Sequence, residues 1–296
     1  MRLLVTGAGG LLGGRLAALL SASHEVVAAR HLEPPPAGLA QVPFDLSSLR
    51  SMETALDKAR PDAVLHAAAL ADVDRCEREP DLAERINVAG SEGLARLCGR
   101  RGIRLIAIST DLVFAGDLSF VKETDPAAAP LVYSRTKRLG EDAVLAEAPG
   151  AAVLRVALVH GRGYGRRATA TESIAWALNS GRTVRLYTDQ YRTPVDAESV
   201  ADLVARLIER GGGGHYHAGG PERLSRHALG MRVASVLGLA TERIEPVSQA
   251  EAAPFVRRPA DCSLDSGRAH RELGWTARPL DVGIREGRLS GPAGES

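Results

Sequence analysis

Apolar and polar positions follow two alternating rhythms along the first 160 residues. Short β-rich apolar runs occur at Leu3 to Thr6, Glu25 to Ala29, Asp62 to His66, Arg104 to Ile108 and Ala151 to Ala157. Between them lie stretches with helical spacing: from the glycine cluster through Leu20, then about Ser47 to Ala59, Asp81 to Arg101 and Val132 to Glu147. A run as uniformly apolar as Leu105-Ile106-Ala107-Ile108 is what a parallel strand buried on both faces requires. Strand and helix in alternation make βαβ units, so the predicted fold is α/β, a Rossmann-type doubly wound parallel sheet. A further short extended run, Gln41 to Phe44, precedes the second helix.

Beyond residue 160 the rhythm loosens. Gly161 to Arg167 is glycine-rich and basic, and Gly211 to Gly214 reads as a surface turn. Helical spacing returns at Thr169 to Asn179, Ala197 to Glu209 and Ser225 to Leu237, with short strands near Val184 to Tyr187 and His215 to Ala218. A smaller C-terminal α/β lobe is predicted. The expected division is residues 1–160 plus about 183–218 for a dinucleotide-binding part, and about 161–182 plus 219–296 for a substrate-binding lobe. The tail from Ser290 to Ser296 is expected to fray.

The class of ligand follows from the first turn. Gly7-x-x-Gly10-x-x-Gly13 stands between the first strand and first helix, where glycines let backbone approach a pyrophosphate and the helix N-terminus meets its charge. Gly7, Gly10, Leu11, Leu12 and Gly13 are the expected contacts. At the end of the second strand a carboxylate would bond the ribose 2′-hydroxyl of NAD; Arg30 and His31 stand there instead, suiting the 2′-phosphate of NADP, with Glu33 close by. NADP(H) is therefore the expected cofactor, with NAD(H) the other possibility. Asp45-Leu46 has two readings: a carboxylate against the adenine edge, or a cap for the helix that follows.

Overall charge adds little, and that is informative. With 37 basic and 36 acidic residues the formal charge is +1, so nothing draws the chain as a whole to nucleic acid or an anionic membrane. Any anionic ligand must be held locally. Cys76, Cys98 and Cys262 are odd in number and lack CxxC spacing, which argues against disulfides or structural zinc. No carboxylate cluster marks a metal site, no apolar run reaches the ~20 residues of a membrane helix, and Met1-Arg2 leads straight into a strand. A cytoplasmic location is expected.

The second constellation concerns proton transfer. Tyr133 and Lys137 are four apart on a helix and share a face, so the lysine ammonium is expected to favour the ionised phenol and tune it as a proton donor. Ser109-Thr110-Asp111 ends the strand before, and the Thr110 hydroxyl is placed to hold the same substrate oxygen.

Taken together, Gly7/Gly10/Gly13, His66-Ala67-Ala68-Ala69, Asn87, Ser109-Thr110-Asp111-Leu112-Val113-Phe114-Ala115-Gly116 and Tyr133/Lys137 resemble the extended short-chain dehydrogenases/reductases. Within them the chain most resembles the dTDP-4-dehydrorhamnose reductase family, through Glu123-Thr124-Asp125, Asp189 to Pro194 and Arg258 to Asp265. The resemblance implies reduction of the C4 ketone of a nucleotide-linked 6-deoxy-4-ketosugar, with Tyr133 giving the proton, Lys137 tuning it and Thr110 orienting the ketone. It further implies that Ala67, Ala68, Ala69, Asn87, Ser109, Tyr133 and Lys137 lie along the cofactor, and that Thr110, Asp111, Leu112, Arg192 and Arg258 meet the substrate. The arginines open to the substrate's pyrophosphate are Arg162, Arg166, Arg167, Arg192, Arg257 and Arg258, led by Arg258 and then Arg192. A homodimer is left open.

Two departures bear on specificity. Leu112 stands where the family has an aromatic residue, and Arg155-Val156-Ala157-Leu158-Val159-His160 replaces a stretch carrying a tryptophan and a tyrosine. Two other readings follow from the same resemblance: an NADP-binding regulatory subunit similar to methionine adenosyltransferase β, and a nucleotide-sugar epimerase or dehydratase. A dehydratase would carry a glutamate where Leu112 stands.

Overall fold

The computed structural model describes residues 1–287. The chain opens with β1 (Arg2–Thr6), α1 (Leu11–Leu20), β2 (Glu25–Arg30), β3 (Ala40–Pro43), α2 (Leu49–Ala59) and β4 (Ala63–His66). It continues through α3 (Val73–Arg78), α4 (Pro80–Glu84), a π-helical stretch (Arg85–Gly90), α5 (Ser91–Arg101), β5 (Arg104–Thr110), a 3₁₀ turn (Asp111–Val113), α6 (Val132–Glu147) and β6 (Ala152–Val156). The remainder is β7 (Val159–His160), α7 (Ala170–Asn179), β8 (Val184–Tyr187), β9 (Tyr191–Arg192), β10 (Val195–Asp196), α8 (Ala197–Arg210) and β11 (Gly214–Ala218). It ends with β12 (Leu224–Ser225), α9 (Arg226–Leu237), β13 (Ile244–Val247), α10 (Gln249–Ala252), α11 (Gly267–Leu273) and α12 (Leu280–Gly287).

Seven strands form one sheet in the order β11-β6-β5-β4-β1-β2-β3, and every pair in it is parallel. Successive residues of β1 serve opposite faces, as pleating demands: Leu3 and Val5 pack with Leu16, Leu203, Leu207 and Trp275 on one side, Leu4 with Leu56, Leu94 and Leu105 on the other. Helices α1, α8 and α11 thus cover one face and α2, α5 and α6 the other. The doubly wound parallel sheet expected from the apolar runs is the observed architecture. A third apolar cluster, with Ile174, Leu186, Leu229, Val233, Ile244 and Ile284, forms the core of a separate lobe.

Two expectations need correction. The strand at Val184 to Tyr187, assigned above to the dinucleotide-binding part, pairs in parallel with β13 and buries Leu186 in the lobe's cluster. Its partner lies some sixty residues away in sequence, out of reach of periodicity. The helix expected without interruption over Asp81 to Arg101 is α4, the π-helical stretch and α5 in succession. Tertiary demands explain the wider turn: Gly90 packs on Leu46, Gly140 of α6 packs against the Asn87 carbonyl, and the Asn87 side chain is tied to two other segments. The tail at Ser290 to Ser296 lies outside the described residues.

Candidate active site

At the C-terminal edge of the sheet the glycine turn is held by close backbone contacts. Gly7 has φ +68°, and a Cβ on it would lie 2.7 Å from the Ala67 carbonyl carbon; a Cβ on Gly13 would collide with the Gly7 carbonyl. Gly10 N donates to Gly7 O at 2.9 Å. Leu11 and Leu12 are the first residues of α1, both half-buried, and no acidic residue stands in that helix's first turn. The N-terminal amides therefore face the turn with an uncompensated positive dipole end.

The adjoining loop is braced from beneath. Thr6 Oγ1 lies 2.8 Å from His66 Nδ1 and accepts from Ala68 N at 3.1 Å, while His66 Nε2 lies 3.1 Å from Ser91 Oγ. Asn87 Oδ1 accepts from Leu70 N at 2.8 Å, and its Nδ2 donates to Leu70 O and Thr136 Oγ1, each at 3.1 Å. Asn87 thus ties Leu70, directly after the Ala67-Ala68-Ala69 segment, to Thr136 of α6. On the far side Arg30 and His31 are exposed. Asp45 takes neither reading fully: its carboxylate accepts from Ser47 N at 2.8 Å and Ser47 Oγ at 2.7 Å, whereas Ser48 caps α2. Leu46 is buried in the sheet's second core.

Tyr133 and Lys137 lie in the first turns of α6, as the spacing implied. Lys137 is buried and donates to the Ile108 carbonyl at 2.8 Å; burial holds its ammonium down to about 8, against the pull of Glu141. Burial, aided by Asp111 and Cys76, pushes the half-buried Tyr133 phenol above its ordinary range, against a hydrogen bond with Thr110. The expectation that Lys137 brings the phenol down is not met, because desolvation dominates and the ammonium is bonded to Ile108. The phenol is therefore protonated at neutral pH. Thr110 Oγ1 accepts from Leu112 N and donates to Asp111 Oδ1, both at 3.2 Å, which fixes the hydroxyl beside Tyr133.

Beneath the tyrosine and lysine lies a buried charge cluster the sequence did not reveal. Glu141, two turns along α6 from Tyr133, accepts from Arg155 Nη2 at 2.7 Å and from Ser109 Oγ, and His215 Nε2 is 3.2 Å away. These partners hold its carboxyl at about 2 despite burial. The hydroxyl of Ser109 donates to Glu141.

Buried neutral histidines add a pH dependence. Burial lowers both His66 and His217 to about 3, Lys137 adding to the first and Arg155 to the second. Because the folded values lie below the ordinary one, the unfolded chain takes up protons first as pH falls below about 6.5. Stability is therefore lost from there downward, roughly 2 kcal/mol for each histidine by pH 5. We expect the melting temperature to fall steadily between pH 7 and pH 5; a flat profile by scanning calorimetry would refute the burial of neutral imidazoles.

The arginines divide by what already occupies them. Arg192 lies 3.6 Å from Asp111 Oδ2 through Nε, and its remaining donors go to the carbonyls of Tyr191, Ala260 and Pro259. Arg258 bonds Val256 O at 2.7 Å and Asp74 at 3.0 Å. Arg162, Arg166, Arg167 and Arg257 are exposed. An arginine absent from that pool, Arg226, has a buried Nη1 without a hydrogen-bond partner among the described residues. It lines a cleft of about 580 Å³ together with Leu158, Ile174, Val184 and Leu186. His160 is buried near Asp196.

The three cysteines are buried free thiols, pushed up by burial to about 11 for Cys76 and about 12 for Cys98 and Cys262. Among the described residues no group of three or more His, Cys, Asp or Glu gathers as a metal site, and no helix is long and apolar enough to cross a membrane.

A dinucleotide-type glycine turn, a tyrosine and lysine four apart at the start of a helix, and a threonine hydroxyl ending the strand before it define an extended short-chain dehydrogenase/reductase site. Comparison with known proteins narrows this: the RmlD substrate binding domain matches residues 1–286, and the chain belongs to that family. A dTDP-4-dehydrorhamnose reductase of Mycobacterium tuberculosis is 34% identical over 277 residues, spanning 92% of this chain and 86% of that protein. A hypothetical dTDP-4-dehydrorhamnose reductase from Sulfolobus tokodaii superposes with a TM-score of 0.85 at 31% identity, covering 96% of this chain and 99% of that one. The same fold recurs, at a TM-score of 0.87 and 23% identity over 97% and 98% of the two chains, in a Bacillus anthracis dTDP-4-dehydrorhamnose reductase in complex with NADP.

Proposed function

We propose that this protein is an NADPH-dependent reductase of a nucleotide-linked 4-keto-6-deoxysugar, working in the cytosol. The observation that carries the reading is the protonated Tyr133 phenol against the Thr110 hydroxyl, with Lys137 one turn further along α6 and its ammonium on the carbonyl of Ile108, two residues before Thr110. The residues present fit a dinucleotide: Gly7 and Gly13 let the turn pack backbone on backbone where any Cβ would collide, and the first turn of α1 carries no acidic side chain. Arg30, with no carboxylate on the last residue of β2, favours the 2′-phosphate of NADP(H) over NAD(H). When bound, the reduced nicotinamide supplies the hydride.

The chain's own residues supply position and proton. Thr110, Asp111 and Leu112 face the sugar, and Thr110 with Tyr133 hydrogen-bonds the C4 oxygen. As that oxygen gains negative charge, Tyr133 gives up its proton to it, while Lys137, one turn further along α6, faces the cofactor. Gly7 to Gly13, Ala67 to Ala69, Asn87, Tyr133 and Lys137 line the cofactor; Ser109 supports them through Glu141. Residues of the C-terminal lobe close over the substrate, with Arg192 and Arg258 shaping its wall. Leu112 and Leu158, in place of aromatic residues, make the sugar subsite more open.

The test supplies purified protein with NADPH or NADH and dTDP-4-dehydrorhamnose, against a protein-free blank. Consumption of NADPH, faster than of NADH, is the expected result. Tight NADPH binding with no turnover on this or other nucleotide ketosugars would sink the reductase reading and turn attention to a regulatory protein partner.

A further inference from the structure

Three charged side chains lie within electrostatic reach of one another, one of them, Arg226, on the wall of the cleft, and they do not balance. Asp111 follows β5, Arg192 ends β9, and Arg226 opens α9; β9 and β12 pair antiparallel with Leu224 opposite Arg192, and Arg226 N donates to Gln190 O at 2.9 Å. This pairing brings the two arginines together. Arg192 serves as the counter-charge of Asp111 and spends its other donors on backbone carbonyls. Arg226 is left as the surplus cation, with Nη1 buried and open. Burial and the charge of Arg192 lower it only to about 10, with Asp111 pulling the other way, so it is charged at neutral pH.

An open buried guanidinium calls for an anion that brings its own acceptors. The setting narrows which anion. Arg226 borders Asp111, next to Thr110 and Tyr133, on one side, and on the other it lines the cleft walled by Leu158, Val184 and Leu186. Those walls suit an apolar-faced ring system such as a nucleobase, and the Thr110 end suits the reacting sugar. In a nucleotide sugar the group between base and sugar is the diphosphate. Its place in the first turn of the twelve-residue helix α9 adds the positive end of a helix dipole on the same side.

We propose that Arg226 is a substrate-binding residue that receives the diphosphate of the nucleotide-linked substrate. This rests on the reading of the site as one for a nucleotide sugar. It reassigns the main anion contact from Arg192, which is held by Asp111 and three backbone carbonyls, and from Arg258, which is paired with Asp74 and Val256 O, to a residue that only the strand pairing brings to the site.

Calorimetric titration of dTDP into the NADPH-loaded protein tests this. Wild type should bind dTDP measurably, and Arg226→Met should weaken it tenfold or more while NADPH affinity and melting temperature hold steady or the latter rises. Arg226→Lys should recover part of the loss. With the ketosugar as substrate, KM should rise about tenfold in Arg226→Met with a smaller change in kcat. The assignment is overturned if wild type does not bind dTDP, if Arg226→Met binds it within twofold of wild type, or if NADPH affinity and melting fall alongside it. Should Arg226→Met fail to fold, the same criteria apply to Arg226→Lys: a severalfold loss of dTDP affinity supports the assignment, and unchanged affinity refutes it. Binding of dTDP without ketosugar turnover would count against the reductase reading alone. Turnover with an unchanged KM in Arg226→Met would count against this assignment alone.

Discussion

Tyr133→Phe is expected to bind NADPH within twofold of wild type, melt at the same temperature and lose turnover by about 10²–10⁴, the range for removal of a positioned proton donor. The change deletes one oxygen and keeps the ring, so packing at the start of α6 survives. What disappears is the proton. Because burial raises the Tyr133 phenol above its ordinary range, the donor form is present throughout neutral and mildly alkaline solution. A fall in wild-type activity above neutrality is then expected from Lys137, whose ammonium loses its proton as pH rises through about 8. Residual activity in Tyr133→Phe has no phenol to lose. Rapid-kinetic measurement of a single turnover would show the loss in the chemical step; wild-type rates in the variant would remove Tyr133 from the reaction.

The largest effect on stability is expected at Glu141. Its carboxylate accepts from Arg155 and Ser109 and lies 3.2 Å from His215 Nε2, and the side chains of Arg155 and Glu141 are only 3% and 2% exposed. Glu141→Ala leaves a guanidinium buried without its counter-ion, a change that costs about 3–5 kcal/mol. For a chain of this size that corresponds to a fall in melting temperature on the order of 10 °C. Glu141→Gln, which keeps an acceptor and loses the charge, should fall between the two. Lys137 also feels the change, since Glu141 is the charge that holds its ammonium up; in a variant that folds, the alkaline fall in activity should move to lower pH. A melting temperature within 2 °C of wild type would contradict the role assigned to the cluster.

Why some of this was legible and some was not comes down to distance along the chain. The central strands β1, β4, β5 and β6 announced themselves because each is a short, largely apolar run buried on both faces. The glycine turn and the Tyr133/Lys137 pair were equally plain, since each is a local spacing whose geometry is set within one turn. Arg226 offered no such signal. Its meaning arises only when β12 lies beside β9 and the carbonyls of Tyr191, Pro259 and Ala260 have taken up Arg192. No local spacing marks Glu141 either; the strand residues Ser109 and Arg155 that bury it come from different βαβ units. The direction of the Tyr133 shift was misjudged for a related reason: spacing reveals a neighbouring charge, whereas desolvation depends on everything packed around the ring.

The π-helical stretch from Arg85 to Gly90 carries a consequence for how this fold tolerates change in chain length. A π turn is an α-helix with one residue too many, and each residue of a helix turns the chain by about 100°. Asn87 reaches Leu70 and Thr136 together only because that surplus residue sets its azimuth. Loss of a single residue here would leave an unbroken and locally contented helix, with every side chain chemically acceptable, yet Asn87 would point elsewhere and Leu70, at the end of the Ala67-Ala68-Ala69 loop, would lose its tether to α6. The active-site floor is thus protected by a count of residues as much as by their identity.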